Sequence, residues 1–358
     1  MVLPKIRVPL DQLKQRYNEV VYRQEPKMIP LREDWTVFSR VDNLRDVVHQ
    51  CCIHDGQPLS EREPDNIRTA ITGAALGNLF SETIGTEINA GFDQLNDTTD
   101  WVRSGELASS KIQERLRLSH NAAGRMQEVP RGKVASGFIV DIEGVEEIRG
   151  VRFAKVLTVD EQDIIDQNVD MLTRAPRLLG QAARRVRPDL VYATLLQNPE
   201  LSDDTPIFDA SRGNAGEAEL STSSFADAVQ WIRTRTEEGI NLDQQPKFLI
   251  VTPKLENAAR TILRDRELNG EQNKIQLRVE SRLETGVIDP ISDEMVSGSE
   301  SRWYLIGSGA SFEFATVEGR PQIGRFVQTR GTWGLAHDVK WTVGLVALDW
   351  RSMYRGNV

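Results

Sequence analysis

Apolar residues recur every three or four positions over several stretches of the chain, a spacing that predicts amphipathic helices. Two such stretches lie near the start, one beginning after Asp11 and the other running from about Asp42 to Cys52. A weaker helical stretch, rich in Gly, Ala and Thr, covers Asp65 to about Ala90. The longest pattern runs from Leu172 to Leu195, and Pro188 is expected to kink or divide this helix because proline lacks a backbone donor. The first half of the chain is therefore predicted to be mainly helical, with one extended exception.

The exception is the block from Ser119 to Thr158, where Gly124, Gly132, Gly137 and Pro130 interrupt short polar and apolar runs. This composition favours a long extended hairpin that ends in a strand. A hairpin with so little apolar material cannot bury itself, so we expect it to lie against another surface. An ordinary β-hairpin on the surface of its own domain is the alternative.

The second half of the chain predicts alternating helices and strands. From Leu220 to Leu263 a helix, a short buried strand and a second helix follow one another, with a Ser/Thr cluster capping the first helix and Pro253 starting the second. Further on, "RWYLIG" and "FEFATV" are predicted strands. The run "GSGAS" from Gly307 to Ser311 lies between them and is predicted to be a hairpin turn, since a nucleophile elbow would need a helix after the strand.

The end of the chain predicts two strands around a turn from Gly331 to Gly334. Between Trp341 and Trp350 both alternating sets of side chains are mostly apolar, so this segment is expected to be covered on both faces. We expect three tryptophans to anchor the core: Trp231, Trp341 and Trp350.

Composition is typical of a folded soluble protein, with 39% apolar and 27% charged residues among 358 and a mean hydropathy of -0.41. No apolar run reaches about 18 residues, which excludes a membrane-spanning helix, and the first residues lack the apolar region of a signal peptide. We therefore expect synthesis in the cytoplasm. The formal net charge of -9 has the wrong sign for a protein that grips nucleic acid, because such affinity comes largely from neutralised phosphates.

Residues that could carry catalysis or hold a cofactor are scarce in this sequence. Cys51 and Cys52 are adjacent and are expected to be buried structural thiols rather than a disulfide or a metal-binding pair. There are four histidines, and neither a G-x-G-x-x-G nor a Walker phosphate loop occurs. The sequence therefore predicts no catalytic residue, no metal site and no cofactor, and the protein is not expected to be an enzyme.

Four stretches occur in an order that resembles a known family. They are "EVPRGK" at 128–133, "DLVYATLLQNPELSDDTPIFDASRGN" at 189–214, "PKFLIVTPKLENAARTIL" at 246–263 and "HDVKWTVGLVALDWRSMYRG" at 337–356. With these motifs the chain resembles the major capsid proteins of tailed bacteriophages, and in particular the major head subunits of Mu-like prophages. The resemblance covers roughly residues 65–356.

The resemblance implies the Hong Kong 97-type capsid fold, an α+β subunit with an axial domain, a peripheral domain, an extended β-hairpin loop and an N-terminal arm. It assigns residues 1–64 to the arm or a helical segment, 65–118 and 156–199 to the peripheral domain with its long spine helix, and 119–155 to the extended loop. Residues 200–318 would form the axial domain and 319–358 the return strands of the peripheral domain. For the first 64 residues, two helices of an ordinary small subdomain remain an alternative to an arm that reaches a neighbouring subunit.

The function implied is that of a structural head protein of the virion, made in the host bacterial cytoplasm. Copies of it would assemble as hexamers and pentamers of an icosahedral shell around double-stranded DNA. Its main partner would be itself, and portal, scaffold or decoration proteins are further partners that such shells can have. Packaged DNA would be a weakly contacted neighbour, and no membrane is involved.

The resemblance also implies which residues matter. Contacts between subunits are expected from residues of the extended loop: Arg125, Glu128, Pro130, Arg131, Gly132 and Lys133. The residues themselves also predict a basic face on the spine helix: Arg174, Arg177, Arg184, Arg185 and Arg187. For this face a solvated surface, salt bridges to neighbouring subunits and contact with DNA all stay open.

Some capsids of this fold join a Lys of the extended loop to an Asn of another subunit. Lys133 lies in the corresponding loop, but residues 319–356 contain no Asn, so no such crosslink is predicted. Two alternatives to the capsid interpretation stay open. One is the shell protein of an encapsulin-like bacterial nanocompartment, and the other is an unrecognised cytoplasmic oligomeric enzyme.

Overall fold

The computed structural model divides the chain into two compact units, each built from three segments. Unit 1 comprises residues 1–96, 153–184 and 321–341, and unit 2 comprises residues 97–152, 185–320 and 342–358. The structure describes residues 10–21, 44–60, 62–118, 128–129, 131, 142–160, 162, 166, 170–237, 239–268, 274–308, 311–327 and 334–357.

Helices and strands both contribute to each unit, as the predicted α+β class requires. The helices among the described residues are α1 Leu10–Val21, α2 Leu44–His54, α3 Glu63–Thr72, α4 Ala74–Gln94, α5 Asp170–Gln197, α6 Thr222–Thr234, α7 Glu256–Leu268 and α8 Arg282–Thr285. The first eight strands are β1 Arg103–Glu106, β2 Gln113–Leu118, β3 Ile142–Ile148, β4 Val151–Asp160, β5 Ala215–Gly216, β6 Thr236–Glu237, β7 Ile240–Asn241 and β8 Pro246–Val251. The others are β9 Gln276–Val279, β10 Val287–Ile288, β11 Met295–Val296, β12 Trp303–Gly307, β13 Phe312–Thr316, β14 Gln322–Val327, β15 Gly334–Ala347 and β16 Met353–Gly356.

Unit 1 is a helical core in which α1 and α2 pack against α4. Leu13 and Tyr17 of α1 are fully buried, and the Tyr17 ring lies 5.6 Å from the ring of Phe80 on α4. The apolar side of α2 is buried in the same cluster. The described helices of the first 64 residues are thus part of the core of unit 1, which favours the small-subdomain alternative for these helices.

Two glycines allow α4 and α5 to approach closely in unit 1. A Cβ atom at Gly91 of α4 would overlap the carbonyl oxygen of Arg177, and a Cβ at Gly180 of α5 would overlap that of Ile88. No other residue type fits at these two positions without a shift of a helix backbone. Helix α5 is continuous from Asp170 to Gln197, so the prediction that Pro188 divides it is wrong.

Unit 2 contains a five-stranded sheet in the order β5-β16-β12-β8-β9, with β12 antiparallel to both of its neighbours. Helices α6 and α7 pack against it, and their apolar side chains share one buried cluster with β8 and β12. Helix α6 begins with a capping box in which the Ser221 and Ser224 side chains satisfy each other's backbone N–H groups. The predicted Ser/Thr cap and the helix-strand-helix order are confirmed.

The hairpin predicted at Gly307 to Ser311 is wrong. Strand β12 pairs with β16 and β8, whereas β13 pairs with β1 and β15 in a different sheet. Both strands are buried at every position. Strands β12 and β13 are each paired with two other strands, so they cannot pair with one another. The segment between them therefore connects two different sheets.

The predicted C-terminal strand pair is confirmed. Strand β14 pairs with the first part of β15 in antiparallel register, and the last part of β15 pairs with β13. From Trp341 to Ala347 nearly every residue of β15 is buried, as expected for a strand covered on both faces. The strand ends at Ala347, however, and Trp350 follows it outside the sheet.

Candidate functional site

Strands β2 and β3 of unit 2 form a two-stranded antiparallel ribbon, called the ribbon below, from which the predicted extended loop emerges. Of the six predicted contact residues, the structure describes two, Glu128 and Arg131, and both are exposed. The other four lie outside the described residues: Arg125, Pro130, Gly132 and Lys133. The ribbon begins at Gln113, before the predicted start of the hairpin at Ser119.

One face of the ribbon is apolar and exposed. Leu116 lies opposite Val145 and Leu118 opposite Ile142 across the two strands. Their exposed fractions are 53%, 40%, 48% and 48%, respectively, in a fold whose other apolar strand residues are mostly buried. Large apolar side chains grouped on one exposed face are characteristic of a surface that binds another protein. This face is therefore the best candidate for a contact surface in the described part of the chain.

The opposite face of the ribbon is charged and lies against the rest of unit 2. Arg117 is only 7% exposed, and its guanidinium lies 3.3 Å from a carboxylate oxygen of Glu146 and 3.7 Å from those of Glu143 and Asp203. Near the start of the ribbon, Arg115 donates a 2.7 Å hydrogen bond to Glu313 of β13. The ribbon thus has one face for its own subunit and one for the solvent.

A β-bulge gives Glu143 its position. Arg117 is opposite Gly144 and Leu118 is opposite Ile142, which leaves Glu143 as the extra residue between them. Its carboxylate accepts two hydrogen bonds from Arg351, at 2.6 and 2.7 Å. Both hydrogen bonds come from the same nitrogen, Nη2 of Arg351, and charge-assisted hydrogen bonds of this kind are stronger than neutral ones.

The same environment changes the ionisation of Glu143. Burial alone would raise the pKa of this carboxyl group, but a hydrogen bond with Glu237 and the guanidinium groups of Arg351 and Arg117 lower it below its ordinary value. Glu143 is therefore ionised at neutral pH, and its ion pairs are present under those conditions.

The turn at Ser202 lies close to the backbone of the ribbon. Ser202 donates from its backbone N–H and its hydroxyl to one oxygen of Glu146, at 3.0 and 2.7 Å. A Cβ atom at Gly144 would overlap the Ser202 Oγ and crowd the guanidinium of Arg117. Glycine at this position therefore allows the turn at Ser202 to lie directly on the ribbon.

Sequence reasoning missed this charged face, although a signal was present. In "QERLRL" of β2 the arginines alternate with leucines, which predicts one charged and one apolar face for this strand. In β3, "IEGVEEI", the residues do not alternate in this way, and Ile142 and Val145 share a face only because of the bulge at Glu143.

Five arginines are predicted to form a basic face on α5: Arg174, Arg177, Arg184, Arg185 and Arg187. Arg177 donates two hydrogen bonds to Glu87, at 3.0 and 2.6 Å, and the Arg184 guanidinium lies 5.1 Å from the ring centre of Phe92. Arg187 donates to the backbone carbonyl oxygens of Thr99 and Val102 in unit 2, whereas Arg174 and Arg185 are exposed. Since three of the five make contacts within their own unit, the five do not form one continuous cationic surface.

The three predicted tryptophan anchors differ in burial. Trp341 is 3% exposed and meets Phe92 edge to face, with ring centres 5.5 Å apart. Trp231 and Trp350 are only half-buried, and their rings are 6.4 Å apart in unit 2. The Trp350 ring lies under guanidinium groups, with Arg235 4.3 Å and Arg212 4.6 Å from its centre. Trp341 is a core side chain of unit 1. Trp231 is partly buried against the apolar cluster that α6 and α7 form with β8 and β12, and Trp350 lies beside it under the stacked arginines.

The cysteines are buried in α2 and are not disulfide-bonded. Burial is the main cause that raises the pKa of the Cys52 thiol to about 11, and it raises that of Cys51 further. Across the described ranges, no three His, Cys, Asp or Glu side chains converge as a metal site would require. None of the described helices is long and apolar enough to cross a membrane.

Comparison with solved structures finds similarity to two phage capsid proteins and to one encapsulin. The capsid protein of the cyanophage P-SCSP1u is 10% identical, with a TM-score of 0.51 over 73% of this chain and 88% of the other. The capsid of Helicobacter pylori bacteriophage KHP30 is 8% identical, with a TM-score of 0.46 over 73% and 88% of the two chains. The SrpI encapsulin of Synechococcus elongatus is 11% identical, with a TM-score of 0.43 over 74% and 89%. The last two scores are too low to support an argument.

The first of these similarities confirms the predicted fold class, a mixed α and β subunit of the tailed-phage, Hong Kong 97 type. No curated protein sequence matches the chain. The sequence profile of the family described as phage capsid protein matches residues 145–356, which is more than half of the chain; the match begins within β3 and runs through α5 to the end of β16. The specific resemblance to Mu-like head subunits stays a prediction, because the matching family is broader. The chain belongs to the phage capsid protein family and is a major capsid protein, a structural component of the virion.

Proposed function

We propose that copies of this chain assemble as hexamers and pentamers of an icosahedral shell that encloses double-stranded DNA, and that the apolar face of the ribbon is a contact between copies. Membership of the phage capsid protein family supports the first part. The observation that carries the second is the exposure of four large apolar side chains on one face of the ribbon: Leu116, Leu118, Ile142 and Val145.

The physical reason is the cost of leaving this face in water. Burial of apolar surface contributes about 25 cal/mol per Å², so covering four such side chains gives a shell contact a favourable free energy. The ribbon also has free backbone groups along its outer edges, because each strand is paired on one side in the described region. Such edges can accept a strand from another copy.

A second exposed apolar surface lies on the β10–β11 hairpin of unit 2. Ile288 and Met295 are cross-strand neighbours, and both are more than half exposed, as is Ile291 at the turn. The hairpin is held by Asp289, whose carboxylate accepts hydrogen bonds from Gln197, Ser292 and the Ile291 backbone. Two separate apolar surfaces suit a subunit with neighbours on more than one side.

The proposal also includes the partners of the assembled shell and the compartment in which the chain is made. DNA would be a weakly contacted neighbour, because the chain carries a net charge of -9 and part of the α5 basic face is used within unit 1. Portal, scaffold or decoration proteins would be the further partners, and the chain would be made in the host bacterial cytoplasm. Its role would be structural rather than catalytic, in line with its family. The axial, peripheral, loop and arm boundaries given above remain predictions.

The test replaces the exposed cross-strand pair of the ribbon by opposite charges, Leu116→Lys together with Val145→Glu, so that no like charges face each other across the two strands. Because both side chains are exposed, the unassembled subunit should keep its circular dichroism spectrum and its thermal midpoint. Assembly into shells, followed by electron microscopy, should be lost. The control is Val156→Glu, a substitution of a similarly exposed apolar residue outside both the ribbon and the predicted arm. Normal shells from the ribbon variant would contradict the proposed contact.

A further inference from the structure

The ribbon is held to its own subunit in two different ways along its length. At the end nearest the core, Ile148 is fully buried in an apolar cluster with Leu107, Ala315 and Val346. From Glu146 outward, the contacts described above are ion pairs and hydrogen bonds. An apolar contact thus fixes the base of the ribbon, and polar contacts fix the part from which the extended loop continues.

The polar contacts reach two separate parts of unit 2. Glu146 and Arg117 contact the turn at Ser202 and Asp203, and Glu143 contacts Arg351 near the C-terminal end of the chain. Both connections are remote in sequence from the ribbon. They therefore fix two points of it, which is enough to set the direction of a two-stranded element whose base is already buried.

Backbone geometry in the ribbon is matched to these contacts. The bulge supplies an extra residue and places the Glu143 carboxylate beside Arg351. Gly144, the next residue, leaves the space that the Ser202 hydroxyl and the Arg117 guanidinium occupy. Without the bulge, the Glu143 carboxylate would not lie beside Arg351. With a side chain at position 144, the Ser202 hydroxyl and the Arg117 guanidinium would lose the space they occupy.

We propose that these residues form a joint that sets the direction in which the ribbon leaves the subunit, and that the joint can open while unit 2 stays folded. The joint consists of three ribbon side chains and their partners: Glu146 binds Ser202, Arg117 binds Asp203, and Glu143 binds Arg351. Gly144 leaves the space that these contacts need. The joint presents the apolar face of the ribbon to the next copy at one angle. This inference rests on the assembly role proposed above for the ribbon.

The joint can open without unfolding of unit 2 because its ion pairs and hydrogen bonds involve only a few neighbouring side chains. Loss of one partner of a charge-assisted pair weakens the others around it, whereas the buried cluster at Ile148 does not depend on them. An isolated two-stranded ribbon is marginally stable in water, so a released ribbon would fray from its outer end. These residues are positioning residues for assembly.

The first test measures amide hydrogen exchange in the unassembled full chain. Glu143→Gln keeps the shape of the side chain and removes its charge, and Gly144→Ala fills the space under Ser202. We expect exchange at 114–118 and 142–146 to rise about tenfold or more in both variants, the size expected for loss of a hydrogen bond to a charged group. Exchange in β8, β12 and α6 should not change. The control is Glu147→Gln, an exposed residue of the same strand.

Two results would overturn the joint. Unchanged exchange in the ribbon of Glu143→Gln would show that the contact does not hold it. An equal rise across all of unit 2, or a folded control that behaves like the variants, would show a general structural role. If Gly144→Ala fails to fold, Glu143→Gln alone decides between these outcomes.

The second test compares the assembly products of the same variants by electron microscopy. With the ribbon direction released, we expect closed shells to be replaced by open or irregular assemblies, while Glu147→Gln forms normal shells. Uniform closed shells from Glu143→Gln would overturn the positioning role. If the wild-type chain itself forms no shells, the proposed function fails, and the exchange measurement still tests the joint independently.

Discussion

Glu143 illustrates how much of the ribbon's anchoring depends on one residue. The bulge places its carboxylate where it accepts two hydrogen bonds from Arg351, and a further cation, Arg117, lies 3.7 Å away. Neither the bulge nor the partner Arg351, which is more than 200 residues away in the sequence, follows from the local pattern of β3. Only the alternation of arginines and leucines in β2 could have been predicted from the sequence.

The ionisation of Glu143 makes the anchoring sensitive to acid. Because its folded pKa lies below the ordinary value of 4.5, its contribution to stability is complete above pH 4.5 and is lost as the pH falls through the folded pKa. The charged groups that act on Glu143 are Arg117, Glu237 and Arg351, and the two arginines also pair with Glu146, Asp203 and Asp349. We predict that exchange of the ribbon amides, corrected for the intrinsic effect of pH, rises below pH 4.5 in the wild-type chain.

The matched variant for this pH prediction is Glu143→Gln, which has no carboxylate to protonate at this position. Its ribbon should exchange fast already at neutral pH and should show a smaller change on acidification. An identical pH profile in the two proteins would mean that another carboxylate controls the ribbon.

The tryptophans allow a comparison between a buried and a half-buried residue. Trp341→Ala should lower the free energy of unfolding by about 3–5 kcal/mol, as large core truncations do, because its side chain is 3% exposed. Trp350→Ala should cost less, since part of its ring is in solvent and its main contacts are stacked arginines. Urea denaturation of the unassembled chain measures both. Equal losses, or a larger loss for Trp350→Ala, would contradict the difference in burial.

At the scale of elements, the crossing of α4 and α5 depends on two glycines. We predict that Gly91→Ala and Gly180→Ala each destabilise the subunit by about 1–3 kcal/mol, because a methyl group at either position would overlap backbone of the other helix. Thermal unfolding of the unassembled chain measures the effect.

The control for the helix crossing is Gly85→Ala, in the middle of the same helix α4. A Cβ at Gly85 would lie 4.0 Å from Ile323, an ordinary contact distance, so no clash arises. Alanine is also the better helix former by roughly 1 kcal/mol. Gly85→Ala should therefore leave stability unchanged or raise it. A gain of stability in all three variants would show that the helices are not in close backbone contact.

Local patterns predicted the elements better than their partners. The helices at both ends of the 220–263 segment, the strand between them and the β14–β15 pair follow from periodicity, caps and turn residues. The segment at 307–311 was misjudged because adjacent strands usually pair, and nothing in a single sequence shows that β12 and β13 each have two other partners. Likewise, the prediction that Pro188 divides α5 treated proline as a helix breaker, although the helix continues through it.

At the scale of the whole molecule, the fold was predictable from the order of the motifs, because three of the four lie on described elements: the end of α5, the β8–α7 unit, and β15 with β16. The candidate contact surface was predicted only as a region. The loop motif at 128–133 pointed to it, while the apolar face that the structure describes lies on the adjoining strands. Which residues of two distant segments meet is decided by tertiary packing, which motif order does not specify.

The charge of the molecule leads to a prediction about DNA. With a net charge of -9 and Arg177 bound to Glu87, the unassembled chain should bind a double-stranded oligonucleotide more weakly than about 10⁻⁴ M at physiological salt, the weak end of ordinary non-specific binding. Fluorescence anisotropy of a labelled duplex measures this. Micromolar binding that falls steeply with salt would contradict the proposal that DNA is only a weakly contacted neighbour.

Assembly is the central claim, and electron microscopy of the purified recombinant chain after size-exclusion chromatography tests it most directly. The account predicts closed shells, or tubes and rings of five or six subunits that are steps toward them. A homogeneous small oligomer that does not assemble further under any assembly condition would contradict it.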